Sequence, residues 1–283
     1  MTTRGWILFA AMAVIWGVPY LLIKIAVGEM PPASVVFGRT AIGALVLLPI
    51  AIARGSLRGL LPHWRALVVY TVVELGAPWF FLTDAERHVS SSLAGLLIAA
   101  VPLTSAVLVW VFAGDDRPDL SRVGGLLLGF VGVGLVVGFD VSGSELGAVA
   151  EIALVVIGYA VGPMIIARRL SDLPTIGVVV VSLVLTALAY APFGVAAFTT
   201  PLSARAEIAV VALGLVCTAL AFVLFFRLIA EVGPSRATVI TYFNPAVAIV
   251  AGALFLQEPV TPAKVAGFAL LAVGSYVGTR RRA

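Results

Sequence analysis

Few side chains in this apolar sequence could do chemistry, and Glu74 is the most unusual of them. It lies well inside an apolar segment at 64–83 and is the deepest acidic residue of the chain. An acidic side chain at the centre of a membrane helix costs about 2.5–3.5 kcal/mol on insertion scales, so it should face a cavity or a partner. Three roles stay open: proton carrier, binder of a substrate ammonium group, or ion pair with Arg39 or Lys24. Those two cations lie near the ends of apolar segments, where we expect them to extend toward the membrane surface.

Two prolines interrupt apolar segments at similar depths. Pro102 and Pro245 each remove a helical hydrogen bond, so each should kink its helix and free carbonyl groups. Paired broken helices beside a cavity are typical of transporter substrate sites, although membrane helices also tolerate proline for no functional reason. Asn244 is the only asparagine. Its amide could bind substrate, bridge the helix gap or serve packing alone.

Aromatic residues recur inside the apolar segments and could line an amphipathic pocket. Packing and anchoring at the membrane interface are the alternative roles of such rings. The candidates are Trp16, Tyr20, Trp79, Tyr159, Phe222 and Tyr242.

The composition requires a lipid environment. Hydrophobic residues make up 61% of the 283 residues, charged residues 11%, and the mean hydropathy is +1.14. A single cysteine, Cys217, excludes an internal disulfide framework, and two scattered histidines suggest neither a metal site nor a cofactor. The net charge of +4 comes from short loops, which indicates topology signals and not nucleic-acid binding.

Ten segments are long enough to cross about 30 Å of hydrocarbon as helices. Their continuous apolar character argues against the alternating pattern of a membrane barrel. The first is predicted to be a retained span, because it is longer than the apolar region of a signal peptide and lacks a cleavage site. The predicted spans are 5–27, 33–53, 64–83, 90–113, 120–139, 146–167, 174–198, 206–228, 235–256 and 262–280.

An internal repeat is visible when the chain is shifted by 143 residues. Pro102 then meets Pro245, and Pro49 meets Pro192. Each half contains five spans, an odd number, so the halves should lie in opposite orientations. We therefore expect an all-α membrane protein of two inverted five-helix repeats, residues 1–140 and 144–283, around a central cavity. Glycines of the fifth and tenth spans predict close helix packing.

The distribution of positive charge predicts the orientation. One side has only Arg87, Arg205 and Lys264 in its loops. Positive residues accumulate on the cytoplasmic side, so both termini should be cytoplasmic. The cytoplasmic set comprises Arg4, Arg54, Arg58, Arg65, Arg117, Arg122, Arg168, Arg169, Arg227, Arg236, Arg280, Arg281 and Arg282.

Several motifs resemble the drug/metabolite transporter superfamily, specifically its ten-helix EamA-like branch, over essentially the whole chain. The first span has an aromatic-glycine stretch at 13–20 followed by Lys24, and the second has Phe-Gly-Arg-Thr at 37–40. The fourth and ninth spans contain the related stretches 91–102 and 235–245, and the ninth continues into Gln-Glu-Pro at 257–259.

The resemblance implies a non-enzymatic transporter of small metabolites in a bacterial cytoplasmic membrane, nearest in kind to amino-acid exporters of the YddG type. We expect neutral or zwitterionic substrates, including aromatic and hydrophobic amino acids, moved by alternating access. A multidrug exporter, a nucleoside or sugar-type exporter and, in a different class, a channel stay open. The sequence implies no partner besides substrate and lipid and is compatible with a monomer.

Overall fold

The computed structural model describes residues 2–113, 120–199 and 201–279, which form helices and no strand. Nine helices in this part of the chain reach membrane length, and a tenth is slightly shorter. They are α1 Thr3–Ala26, α2 Pro32–Ala53, α3 Leu61–Ala85, α4 Ser91–Phe112, α5 Leu120–Asp140, α6 Gly143–Leu170, α7 Thr175–Thr199, α8 Ala204–Val232, α9 Thr238–Leu256 and α10 Pro262–Thr279. Arg117 and Arg280 to Arg282 lie outside the described residues.

All ten predicted spans correspond to these helices, and the boundaries differ by a few residues. In α9 the span starts three residues later than predicted, because a separate turn at Pro234–Ala237 precedes it. Gly233 ends α8 with a φ of 84°, a conformation that glycine adopts without steric cost. The chain can therefore reverse direction within a short connection before α9.

Helix contacts follow the symmetry of two inverted halves. The principal pairs across the halves are α2 with α7, α4 with α9, α5 with α10, α1 with α8 and α3 with α6. A shift of 143 residues converts α1 into α6 and α8 into α3, so the last two pairs are equivalent. Because each half has five helices, equivalent helices run in opposite directions.

The contact between α5 and α10 is made through glycine backbones. A Cβ atom on Gly125 would lie 2.5 Å from the backbone nitrogen of Gly278, and one on Gly274 would overlap the backbone of Gly129. The predicted close packing is confirmed at these positions. Gly134 and Gly138, in contrast, have no atom near their Cβ positions and do not contribute to it.

Irregular turns occur at corresponding positions in the halves. Regular helix in α4 stops at Ile98 and resumes at Val101, just before Pro102, and the first part of α9 is a tight 3-10 turn up to Tyr242. Wider π-helical turns occupy Thr71–Gly76 of α3 and Leu215–Leu220 of α8. Such turns expose or displace backbone groups and often mark functional positions.

Candidate functional site

Arg39 is the central cation of the site. It lies about 10 Å from the start of α2, at 1.5 Å per residue, and its side chain is only 8% exposed. Its Nε–H donates to Thr218 Oγ1 of α8 at 3.0 Å, and its guanidinium lies 3.7 Å from the centre of the Trp79 ring in α3. The expectation that Arg39 extends to the membrane surface is therefore wrong, because Thr218 and Trp79 hold it inside the bundle.

Further polar side chains surround the guanidinium group. Tyr20 of α1, Tyr159 of α6 and Cys217 of α8 are all close enough to Arg39 to interact electrostatically with it. The side chain of Trp79 also lies close to the Tyr159 hydroxyl group. Side chains from α1, α2, α3, α6 and α8 thus converge on one region, and both halves contribute to it.

Glu74 provides a carboxyl group in the π-helical turn of α3. Its side chain packs directly against Gly162 of α6, where no larger residue would fit. One carboxyl oxygen, Oε2, is buried without a hydrogen-bond partner in the described structure. Because a buried carboxyl oxygen needs a donor or a proton, Glu74 is suited to bind a cationic group or a proton.

The expected alternative of an ion pair for Glu74 is not formed with either cation. Arg39 engages Thr218 and Trp79, as described above. The Nζ group of Lys24 donates to the backbone carbonyls of Glu86 and Val89, at 2.6 and 2.8 Å. Lys24 therefore joins α1 to the connection between α3 and α4.

Tyr159 links the cation to the carboxyl group. It lies within electrostatic range of both Arg39 and Glu74. The Tyr159 hydroxyl group thus lies near one cation and one carboxyl group, inside a bundle where water screens charge weakly. A ligand with separated negative and positive groups would complement it.

The remaining predicted residues form two further groups. The Trp16 ring lies 6.1 Å from Phe222 and 4.6 Å from Phe225, between α1 and α8. With its amide nitrogen facing the carbonyls, Asn244 donates to Ala13 at 3.2 Å and to Ile240 at 3.0 Å. Asn244 thus bridges the interrupted part of α9 to α1, as in the helix-gap role considered above.

Three other candidates lie near the helix interruptions. Pro245 is buried in the first turn of regular helix in α9, and Pro102 is half-buried at the equivalent position in α4. Tyr242 is half-buried just before the α9 interruption ends. These residues shape the α4 and α9 backbones.

A network of hydrogen bonds joins the helix connections at the predicted outer end. The Glu258 carboxylate accepts from the backbone N–H groups of Ser91 and Ser92, at 2.8 and 2.9 Å, at the start of α4. The Nζ group of Lys264 donates to Ser92 Oγ at 3.0 Å. Glu29, in the connection from α1 to α2, accepts from Ser203 before α8. We call these contacts, with those of Lys24, the outer network.

The outer network keeps Glu258 ionised. Burial alone would raise the pKa of this carboxyl, but hydrogen bonds from Ser92 and Ser91 outweigh burial and lower the pKa. The charge also lies at a helix N-terminus, where negative charge is favourable. The carboxylate therefore fastens the start of α4 to the end of α9.

Sequence reasoning missed Arg39 and Glu258 as functional candidates. The depth of Arg39 in α2 was a usable signal, since a cation that far inside a span needs a polar partner. Glu258 gave a weaker signal, because it follows the apolar span and resembles an ordinary loop residue. Only the fold brings it to the start of α4.

Ten apolar helices in two inverted halves, with interrupted helices near a buried cation and a buried carboxyl group, are the architecture of a membrane transporter. The EamA-like transporter family model matches residues 3–138 and 147–279, once in each half. The chain belongs to this family, within the drug/metabolite transporter superfamily.

Curated relatives are named transporters too. "Uncharacterized transporter YvbV" of Bacillus subtilis is 26% identical, over 99% of this chain and 93% of its own. An "Uncharacterized transporter" of Archaeoglobus fulgidus is 26% identical over 99% and 100%. "Uncharacterized inner membrane transporter YedA" of Escherichia coli is 26% identical over 86% and 79%. A solved crystal structure shares the fold, with a TM-score of 0.68 and 21% identity over 99% and 98% of the chains.

Proposed function

We propose that this transporter is a secondary carrier of small neutral or zwitterionic metabolites, most readily amino acids with aromatic or hydrophobic side chains. The observation that supports the proposal is the placement of Arg39 and Glu74 within reach of Tyr159. An amino acid carries a carboxylate and an ammonium group on one carbon atom. The Arg39 cation is opposite in sign to the carboxylate, and the Glu74 carboxyl group can accept a hydrogen bond from the ammonium group.

Each part of such a substrate would have a contact at the site. The guanidinium of Arg39 has five N–H donors in a planar fork and suits a carboxylate. The buried Glu74 oxygen suits an ammonium group. The rings of Trp79 and Tyr159 suit an apolar or aromatic side chain. Substrate choice would thus depend on positions that differ between the halves, because Glu74 corresponds to Cys217.

Alternating access is the proposed mechanism. The outer network holds the predicted outer end closed, so release on that side requires its hydrogen bonds to break. The interruptions before Pro102 and Pro245 are positions where α4 and α9 can bend. Rocking of the two halves about the central site would then expose it to one side at a time.

We further propose export across a bacterial cytoplasmic membrane, with both termini in the cytoplasm. The charge asymmetry of the loops supports this orientation. The division into repeats 1–140 and 144–283 and a monomeric state belong to the same proposal. Labelling of single cysteines placed in successive loops of intact cells tests the orientation.

Reconstitution into proteoliposomes tests the substrate. We expect saturable uptake of a labelled aromatic amino acid and counterflow, in which unlabelled substrate on one side accelerates entry from the other. Glu74→Gln should weaken apparent affinity about 10-fold to 100-fold, because a hydrogen bond between charged groups contributes about 1.5–3 kcal/mol. Glu207→Gln is the control, since Glu207 is exposed at the start of α8. Failure of every amino acid, with robust exchange of phosphate esters, would refute the substrate class.

The same measurements separate the alternatives. A channel would give flux that rises linearly with concentration and shows no counterflow. Competition by cationic dyes would favour a multidrug exporter, and competition by nucleosides or sugars a carrier of those metabolites.

A further inference from the structure

Glu86 is a buried carboxyl that the substrate site does not use. It directly follows α3, at the start of the connection to α4, and has 0% exposure. Neither carboxyl oxygen has a hydrogen-bond partner of normal geometry in the described structure. The backbone N–H of Lys24 lies near the carboxyl but belongs to the α1 helix. An ionised carboxylate without donors costs several kcal/mol in such a place, so this conformation requires the neutral acid.

Four charged or titratable side chains lie near Glu86. Lys24 and Tyr20 approach from α1, Arg39 from α2 and Glu258 from the connection after α9. Burial is the main reason that the pKa of Glu86 is raised well above its ordinary value, and Glu258 raises it further. Lys24 and Arg39 act in the opposite direction without overcoming burial. The Nζ group of Lys24 donates to backbone carbonyls, as described above, and not to this carboxyl.

Two neighbouring carboxyls therefore have opposite protonation states in the closed outer end. Glu258 has a lowered pKa because it accepts backbone hydrogen bonds, whereas Glu86 has a raised pKa because it is buried without donors. Neighbouring carboxyls with pKa values pushed apart commonly divide roles in this way. The closed outer end thus needs one carboxylate and one carboxylic acid.

We propose that Glu86 is a proton-binding site whose occupancy is coupled to the outer end. The outer end closes with a proton on Glu86. Opening separates the connection at 86–90 from α1 and α9, admits water to the carboxyl and releases the proton to the outer solution. The proposal rests on alternating access from the proposed function, but it does not depend on the identity of the substrate.

The direction of the pH effect follows from the two states of Glu86. The closed state has the higher pKa, and a hydrated carboxyl has an ordinary pKa of about 4.3. Low outer pH therefore favours closure, and rising pH favours opening. Between the two pKa values, one proton changes the ratio of closed to open molecules about tenfold per pH unit.

Accessibility of Val89 provides the measurement. Val89 is 1% exposed beside Glu86, and Val89→Cys in a Cys217→Ser background would report opening through a membrane-impermeant maleimide. Ser144→Cys is the reference, because Ser144 is exposed in the first turn of α6, at the same predicted outer end, and corrects for the reactivity of the thiol. The labelling ratio of the two sites is measured in right-side-out vesicles across pH 5–8.

In otherwise native protein we expect the labelling ratio to rise by up to about tenfold per pH unit. Glu86→Gln, which resembles the neutral acid, should give a low and flat ratio. Glu258→Gln should increase labelling at every pH and keep the slope, because it weakens the outer network without removing the proton site. Glu86→Leu, with an apolar side chain suited to burial, has the same expected flat response if the glutamine variant does not fold.

A labelling ratio that still rises with pH in Glu86→Gln or Glu86→Leu would overturn the proposal. A labelling ratio that does not change with pH in protein with native Glu86, although Val89→Cys is labelled, would overturn it too. The labelling needs no substrate. A protein that shows the slope but transports no amino acid would refute the proposed substrate and leave the proton site standing. Amino-acid transport by a protein whose labelling ratio does not change with pH would refute the proton site and leave the proposed substrate standing.

Discussion

Replacement of Arg39 by lysine tests the substrate site most directly. Lysine keeps the positive charge but lacks the planar fork and the face that lies on a ring. In the structure Arg39 uses its Nε–H for Thr218 and its face for Trp79. Arg39→Lys should therefore transport more weakly although the charge is unchanged.

The magnitude can be worked from these two contacts. A hydrogen bond to a charged group contributes about 1.5–3 kcal/mol, and a desolvated contact between a cation and a ring about 2 kcal/mol. Lysine can recover part of each contact, so we expect a net loss of about 2 kcal/mol in the positioning of the cation. Such a loss corresponds to about a 30-fold increase in apparent KM for an amino acid.

Initial rates in proteoliposomes provide the assay, with an aromatic amino acid and the amine that lacks its carboxylate. The variant should lose the preference for the amino acid over the amine. Ser182→Ala is the matched control, because Ser182 occupies the position equivalent to Arg39 and accepts a hydrogen bond from Thr71 at 2.9 Å. An unchanged KM in Arg39→Lys, or an equal rise for the amine, would refute the assignment of Arg39 to the carboxylate.

Two further predictions concern helix packing and the outer network. Gly274→Leu should destabilise the protein by about 1–3 kcal/mol, as overpacking does, because its side chain would overlap the backbone of Gly129. Gly134→Leu is the control and should have little effect, since its Cβ position is open. Thermal unfolding in detergent compares the two variants, and equal losses of stability would contradict the packing. Glu258→Gln should favour opening of the outer end about tenfold or more, because a charge-assisted hydrogen bond is lost. The Val89→Cys thiol should then be labelled faster from the outer side at neutral pH, and slower labelling would contradict this prediction.

The helices themselves could be predicted because lipid leaves the backbone few choices. Continuous apolar segments of sufficient length have to form helices, so α2 was expected at 33–53 and is found at Pro32–Ala53. The interruption in α4 was likewise expected from Pro102, since proline cannot complete the helical hydrogen bonds. These features depend on local sequence and on solvent.

The side-chain partners could not be predicted in the same way, because they depend on how distant helices meet. Arg39 was expected at the membrane surface, but Trp79 and Thr218 hold it in the interior. No local pattern shows that α2 packs against α8 at Thr218. Glu86 escaped notice for a related reason, since its position after a span resembles that of a solvated loop residue.

The glycine contact between α5 and α10 restricts how the two halves can move. Gly125 and Gly129 meet Gly278 and Gly274 almost backbone to backbone, and α5 is largely exposed at the edge of the bundle. Because such contacts tolerate little separation, we expect α5 and α10 to stay together while the two halves rock. The relative displacement of the two halves should then be smallest at α5 and α10 and should increase with distance from this contact.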